Sequence, residues 1–269
     1  DKYGLSSGNI RSLLQDKFGN IWIGNYSSGV DFISHTQPMF HILPYTTQGK
    51  EKQKNKPVWG LFQDSEGRIW LGGENEAVAF KNEKQLESFD ITEYLARPYG
   101  QVFSFAEYSP GIFLLGIYDD GLLKLDTKSN RIERIKLDMS NIDILSFFKD
   151  DDGTIWVGAE YGIYTYKGGV IRKEEDITRQ LSDKSIYGIL RDRQGKLWIG
   201  SYAGRITIFD RDYKAVTRLD HNNGFKTNGI NSLFMDSQGG VWVATRKGIG
   251  YIKDTSKPEE FELYGYSHG

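Results

Sequence analysis

Ile10-Arg-Ser-Leu-Leu-Gln-Asp16-Lys-Phe-Gly19-Asn-Ile-Trp22-Ile-Gly24 is the stretch that decides the fold, because it recurs along the chain. It returns from Val58 to Gly72 with Asp64, Gly67 and Trp70, and from Ile144 to Gly158 with Asp150, Gly153 and Trp156. It returns again from Ile186 to Gly200 with Asp192, Gly195 and Trp198, and from Ile230 with Asp236, Gly239 and Trp242. One further copy, Val102 to Gly116, is degenerate: Gly111 and Gly116 remain, but Tyr108 stands for the Asp and Leu114 for the Trp. The Trp positions (22, 70, 114, 156, 198 and 242) are 42 to 48 residues apart, so the repeat fills nearly all of the 269 residues.

Each unit reads as four strands. The first is apolar, as in Ile10 to Leu14; the second is Asn20 to Gly24; the third follows a turn of small residues, as in Gly29 to Ile33; and the fourth is weaker, as in Phe40 to Pro44. No segment carries a long helical period, and Ile91 to Leu95 is at most a turn. Four-stranded repeats of about 40 to 45 residues are the mark of propeller blades. The expectation is an all-β chain, a single β-propeller domain over residues 1–269 with six visible blades, near 5–47, 53–96, 98–138, 140–181, 183–222 and 225–265. Gly4 precedes a first strand and Phe261-Glu-Leu-Tyr264 reads as a fourth strand, so both ends fall in the same inter-blade connection. A six-blade ring closes on these terms; an arc, or part of a seven-bladed ring, is the alternative, and an open edge would favour pairing into a homodimer.

Composition narrows the function classes. With 34 basic and 36 acidic residues the net charge is −2, which offers no basic field for nucleic acid or an anionic membrane surface. There is no cysteine, which excludes disulfides, thiolate zinc sites and cysteine nucleophiles but suits an oxidising compartment and the cytosol equally. No apolar run is long enough for a membrane-spanning helix. There is no signal peptide, and the abrupt start at Asp1-Lys2-Tyr3-Gly4 reads as that of a mature or excised segment.

The motif itself is structural. An Asp-x-x-Gly turn joins strands one and two, its carboxylate accepting backbone N–H bonds and its glycine supplying a positive φ. The Trp that follows is expected to pack between neighbouring blades. One acid per blade at one turn does not converge as a catalytic pair does.

Ile-x-Ser-Leu-x-x-Asp-x-x-Gly-x-Ile-Trp-Ile-Gly, then Ser-Gly-Val, resembles the two-component regulator propeller repeat. So do Gly224 to Ile230 before the last copy and Gly4 to Ile10 before the first. The resemblance covers essentially the whole chain, five copies well and the degenerate copy poorly. It implies the periplasmic sensor region of a Bacteroidetes hybrid two-component system: a membrane-anchored parent with a histidine kinase, further sensor domains, and oligosaccharides as the signal. This chain holds no kinase, receiver or membrane segment and is expected to act as a ligand-sensing fragment rather than an enzyme, without a cofactor. The remaining domains of the parent would be its partners.

Two sets of residues are candidates for ligand binding. The residue two past the Trp-x-Gly glycine lies in the loop between strands two and three: Tyr26, Glu74, Tyr118, Glu160, Tyr202 and Arg246. Flat rings and polar tips at one rim position suit a sugar; ordinary turn side chains are the alternative. The residue after each first-strand start forms the second set: Arg11, Trp59, Phe103, Leu145, Tyr187 and Asn231. Trp59 and Tyr187 are the members singled out, against simple blade packing. A small residue follows each time (Ser12, Gly60, Ser104, Ser146, Gly188, Ser232), as crowding between converging first strands would require.

Other signals are weaker. His35, His41, His221 and His268 show no metal-ligand spacing. Lys50 to Lys56 reads as a solvated loop, and Asp150-Asp151-Asp152 reads as turn capping in preference to calcium binding. A propeller that serves only protein contact or dimerisation is the competing function. A propeller lyase is a third, and the lack of clustered histidines argues against it.

Overall fold

The computed structural model describes residues 9–26, 29–33, 57–82, 84–137, 142–246 and 248–265. Its strands form six antiparallel sheets in sequence order, five of them four-stranded. Sheet 1 is β1 (Ile10–Gln15), β2 (Ile21–Asn25) and β3 (Val30–Ile33); its expected fourth strand, Phe40 to Pro44, lies outside the described residues, as does Lys50 to Lys56. Sheet 2 is β4 (Gly60–Gln63), β5 (Ile69–Gly72), β6 (Glu76–Lys81) and β7 (Lys84–Asp90). Sheet 3 is β8 (Gln101–Ser109), β9 (Ile112–Tyr118), β10 (Gly121–Asp126) and β11 (Arg131–Ile135). Sheet 4 is β12 (Ile144–Lys149), β13 (Ile155–Ala159), β14 (Gly162–Lys167) and β15 (Val170–Lys173). Sheet 5 is β16 (Ile186–Arg191), β17 (Leu197–Ser201), β18 (Ile206–Phe209) and β19 (Ala215–Leu219). Sheet 6 is β20 (Ile230–Met235), β21 (Val241–Thr245), β22 (Gly248–Ile252) and β23 (Phe261–Gly265). The fold is an all-β propeller, and each sheet is a blade. The chain divides into two compact units, Asp1–Ile144 and Leu145–Gly269.

The turn motif does more than its sequence suggests. In sheet 1 one oxygen of Asp16 accepts the backbone N–H groups of Phe18 and Asn20, both at 2.9 Å. The other oxygen accepts the indole N–H of Trp22 at 3.0 Å. Sheets 2, 5 and 6 repeat this clasp, with indole contacts of 2.8 Å for Trp70 to Asp64 and 2.9 Å for Trp198 to Asp192 and Trp242 to Asp236. Sheet 4 departs from it: Asp150 holds the Trp156 indole at 3.0 Å and accepts the N–H of Asp151 at 3.1 Å, and it takes further bonds from Arg191. The clasp follows from the fold: the Asp ends the first strand at the turn and reaches diagonally across it to the Trp of the second strand, which stands directly opposite the residue two before the Asp.

Four of the five clasped indoles then pack on the sheet that follows. Trp22 lies among Val58, Leu71, Val78 and Phe80 of sheet 2, and Trp70 among Phe105, Phe113 and Leu115 of sheet 3. Trp156 meets Ile186, Ile189 and Phe209 of sheet 5, and Trp198 meets Ile230, Leu233 and Val243 of sheet 6. These four indoles are buried; Trp242 is only half-buried and rests on Tyr251, with ring centroids 4.4 Å apart. In the degenerate blade the apolar positions persist without the clasp. Leu114 is fully buried, and Glu107 replaces the Asp by reaching Ser65 of sheet 2 with both oxygens, at 2.8 and 2.9 Å.

The small residues have a specific cause. Ser12, Gly60, Ser104 and Gly188 stand opposite Gly24, Gly72, Gly116 and Gly200 in their ladders. A Cβ on Gly116 would meet the carbonyl of Ile144 at 2.8 Å, and one on Gly158 that of Ile186 at 2.7 Å. Crowding thus comes from the backbone of the next first strand, against which each sheet is pressed.

Helix is scarce among the described residues, as expected. Thr92–Tyr94 and His221–Asn223 are single 3-10 turns, the former inside the segment read as a turn. The short α1 (Glu175–Gln180), after β15, was not anticipated; Ile177 and Thr178 anchor it by burial.

Candidate functional site

In every antiparallel blade the start of the first strand and the end of the second lie at one end of the sheet, and the Asp turn lies at the other. The two candidate sets therefore share an end, the rim. A second device aims them. Arg11, Phe103, Tyr187 and Asn231 are each the extra residue of a β-bulge, between Ile10 and Ser12, Val102 and Ser104, Ile186 and Gly188, and Ile230 and Ser232. A bulge re-aims a side chain and recurs next to functional sites.

In the first unit this brings three candidates into one stack. The Phe103 ring lies on Tyr118, with centroids 5.0 Å apart and planes within 20°. The guanidinium of Arg11, from the first sheet, lies 4.2 Å over the Phe103 ring of the third. Arg11 and Phe103 are buried and Tyr118 is 39% exposed, so the stack opens to solvent at the tyrosine. Tyr26 is 49% exposed and is fixed by its N–H to Asn9. Glu74 is exposed and bridges to Gln101 through its backbone. Trp59 is buried and donates its N–H to Gly72, which favours the packing reading for that residue.

The second unit builds a related stack of two aromatic rings and one guanidinium. Tyr187 and Tyr202 have centroids 5.6 Å apart, and the Arg246 guanidinium lies 4.0 Å over the Tyr202 ring. Tyr187 is buried, while Tyr202 and Arg246 are exposed. Gly229 makes the approach feasible: a Cβ there would meet the Tyr202 carbonyl at 3.0 Å and Arg246 Nε at 3.1 Å. Tyr202 is held by its N–H to the Ser185 carbonyl at 2.9 Å. Glu160 is half-buried, its carbonyl accepting from the Ser185 hydroxyl at 3.4 Å. Leu145 and Asn231 are buried.

A guanidinium over an aromatic face contributes about 0.5–2 kcal/mol and fixes the plane of both groups. The sequence identified the members of these stacks but not their order, since Arg11 and Phe103 come from different blades.

The opposite end is more highly charged. Arg191 pairs with Asp150 at 2.7 Å, and Lys167 with Asp152 at 2.8 Å. Burial pushes the Asp150 carboxyl up, but hydrogen bonds from Arg191 and Trp156 outweigh it and hold the group below the ordinary carboxylate range. Asp152 also caps Thr154, accepting its N–H at 2.8 Å. Among the described residues no group of His, Asp and Glu is arranged to hold a metal ion. His221 sits in a 3-10 turn, and His35, His41 and His268 lie outside the described residues.

The family model described as "Two component regulator propeller" matches residues 4–27, 52–75, 138–161, 180–203 and 224–247. These are two component regulator propeller repeats. The matched segments each end at or just past a rim residue, and the degenerate blade is the one passed over.

Solved structures agree in fold. The extracellular domain of a protein described as the hybrid two component system BT3049 of B. thetaiotaomicron is 20% identical, with a TM-score of 0.60 over 97% of this chain and 41% of that one. The corresponding domain of BT4673 from the same organism is 17% identical, with a TM-score of 0.60 over 93% of this chain and 38% of that one. A catalytically inactive virginiamycin B lyase from Staphylococcus aureus, with Quinupristin, is 14% identical, with a TM-score of 0.68 over 97% of this chain and 86% of that one. At these identities the likeness is one of fold. The regulator-propeller chain spans about two-fifths of the length of the extracellular domains it matches. No curated protein matches it.

Proposed function

We propose that this regulator propeller is an extracytoplasmic sensor module that binds an oligosaccharide at its rim and relays occupancy to a histidine kinase elsewhere in a membrane-anchored parent. The observation that carries the reading is the pair of cation–aromatic stacks, Arg11–Phe103–Tyr118 and Tyr187–Tyr202–Arg246, each opening to solvent at a tyrosine. Each stack lies at the end of its sheets opposite the Asp turns, so it is separate from the tryptophan clasps. The exposed tyrosine faces suit the C–H faces of sugar rings, and guanidinium edges suit hydroxyl oxygens. Two further supports are the family of the repeats and the extracellular placement of the BT3049 and BT4673 domains. The periplasm is the corresponding location, and the rest of the parent supplies the partners.

Calorimetric titration of the chain with a glycan panel tests this reading. Tyr202→Ala and Arg246→Ala should each weaken binding about 5- to 150-fold, the equivalent of roughly 1–3 kcal/mol for one lost contact, with little change in melting temperature. Affinity that survives both substitutions would remove the second-unit stack from the site. Failure of every glycan to bind would favour a propeller used only for protein contact.

A further inference from the structure

The connection between β19 and β20 holds the only two Asn-Gly pairs of the sequence, Asn223-Gly224 and Asn228-Gly229. Such a pair is chemically reactive, because glycine has no Cβ to shield its backbone nitrogen. That nitrogen attacks the side-chain carbonyl of the preceding Asn when neither group is engaged elsewhere. The structure gives the two pairs opposite settings.

Asn223 is locked. It ends the 3-10 turn His221–Asn223 and closes a capping box with Asp220. Its Oδ1 accepts the Asp220 N–H at 2.9 Å, and its Nδ2 donates to the Arg218 carbonyl. The Gly224 N–H is turned to the His221 carbonyl at 3.4 Å. Both reacting groups of this pair are therefore occupied.

Asn228 is free. It is exposed in a bend, and among the described residues neither its side chain nor the Gly229 N–H makes a hydrogen bond. The chain is anchored just before it, where Thr227 donates its N–H to Phe225 and its hydroxyl to the Gly204 carbonyl. Just after it, Gly229 is buried against the second-unit stack, beside the Tyr202 carbonyl and Arg246 Nε. The reactive pair is thus part of the rim.

We propose that Asn228 is a self-modification site of the rim, converted with age to aspartate or isoaspartate. The Gly229 nitrogen attacks the side-chain carbonyl carbon of Asn228. A C–N bond forms and closes a succinimide ring, and the amide nitrogen leaves as ammonia with the proton that Gly229 gives up. Water then opens the ring. Opening at the former side-chain carbonyl gives aspartate, and opening at the main-chain carbonyl gives isoaspartate. One water is consumed and one ammonia released, with no oxidant or reductant. Either product replaces a neutral amide by a negative charge, one residue from the glycine that packs on Arg246. Isoaspartate also lengthens the backbone there by one atom. The reaction needs no ligand, so it stands apart from what the rim binds.

The test is incubation of the whole chain in mildly alkaline buffer, folded and in urea, followed by trypsin and mass spectrometry. Trypsin separates the pairs into Leu219–Lys226 and Thr227–Arg246. In the folded chain Asn228 should lose its amide about 5-fold faster than Asn223 or more, the rate equivalent of one N-cap. In urea the two should convert at similar rates. Asp220→Ala, which removes the capping partner, should speed conversion of Asn223 in the folded chain and leave that of Asn228 unchanged. The proposal is overturned if the folded chain converts Asn223 as readily as Asn228, or if Asn228 keeps its amide when folded and loses it only in urea.

Discussion

Trp198→Ala is expected to lower the stability of the chain by roughly 3–5 kcal/mol, the range for truncating a large buried aromatic. The indole is fully buried, its N–H is satisfied by Asp192 at 2.9 Å, and its ring meets Ile230, Leu233, Val241 and Val243 of the next sheet. Alanine would open a cavity between two sheets and leave a buried carboxylate oxygen without its donor. A difference of this size moves the melting temperature by roughly 2–4 °C per kcal/mol in chains of comparable length. Trp242→Ala should cost less, because that indole is only half-buried. Scanning calorimetry of the two variants decides the matter: equal losses would show that burial against the following sheet is not what the indole contributes.

The second large effect is expected at Asp64. Its side chain is fully buried, and it accepts four hydrogen bonds: the N–H groups of Glu66 and Arg68, Arg68 Nε at 2.6 Å and the Trp70 indole at 2.8 Å. The Arg68 side chain is itself only 11% exposed. Asp64→Asn keeps the shape but removes the charge that balances a nearly buried guanidinium. Leaving a buried ion uncompensated costs about 3–5 kcal/mol; Glu66 and Glu87, each 3.7 Å from the Arg68 guanidinium, keep part of the balance, so the loss should fall toward the lower end of that range. Asp236→Asn is the matched control. Asp236 makes the same turn and indole bonds, with Tyr251 in place of an arginine. Denaturant unfolding should rank Asp64→Asn well above Asp236→Asn in damage, and equal damage would show that the ion pair contributes nothing beyond the turn.

The architecture was legible because the clasp is written at fixed spacing: Asp, Gly and Trp recur at three-residue steps in five copies, and each copy reads as one sheet. The rim sets were legible for the same reason, as positions in register with the motif. Their assembly was not. Arg11 and Phe103 are separated by two repeats, and their contact depends on bulges and on how successive first strands converge, which no local pattern encodes. Trp59 is a different case. A tryptophan outside the repeat stands out in the sequence, and it is buried beside β4.

The direction in which the tryptophans pack has a consequence for biosynthesis. Trp22, Trp70, Trp156 and Trp198 are clasped within their own blades and gain further cover from the blade that follows, which arrives from the C-terminal side. On the ribosome, chains emerge N-terminus first, and domains fold as their contacts become available. The newest blade of a nascent chain can therefore close its hydrogen-bonded ladder while its tryptophan still lacks that cover, which arrives one repeat later. A chain stalled after β19 should show solvent-exposed emission from Trp198 that shifts to shorter wavelength once β20 to β22 have emerged. Emission already buried at the earlier length would mean that the blade obtains its cover from elsewhere.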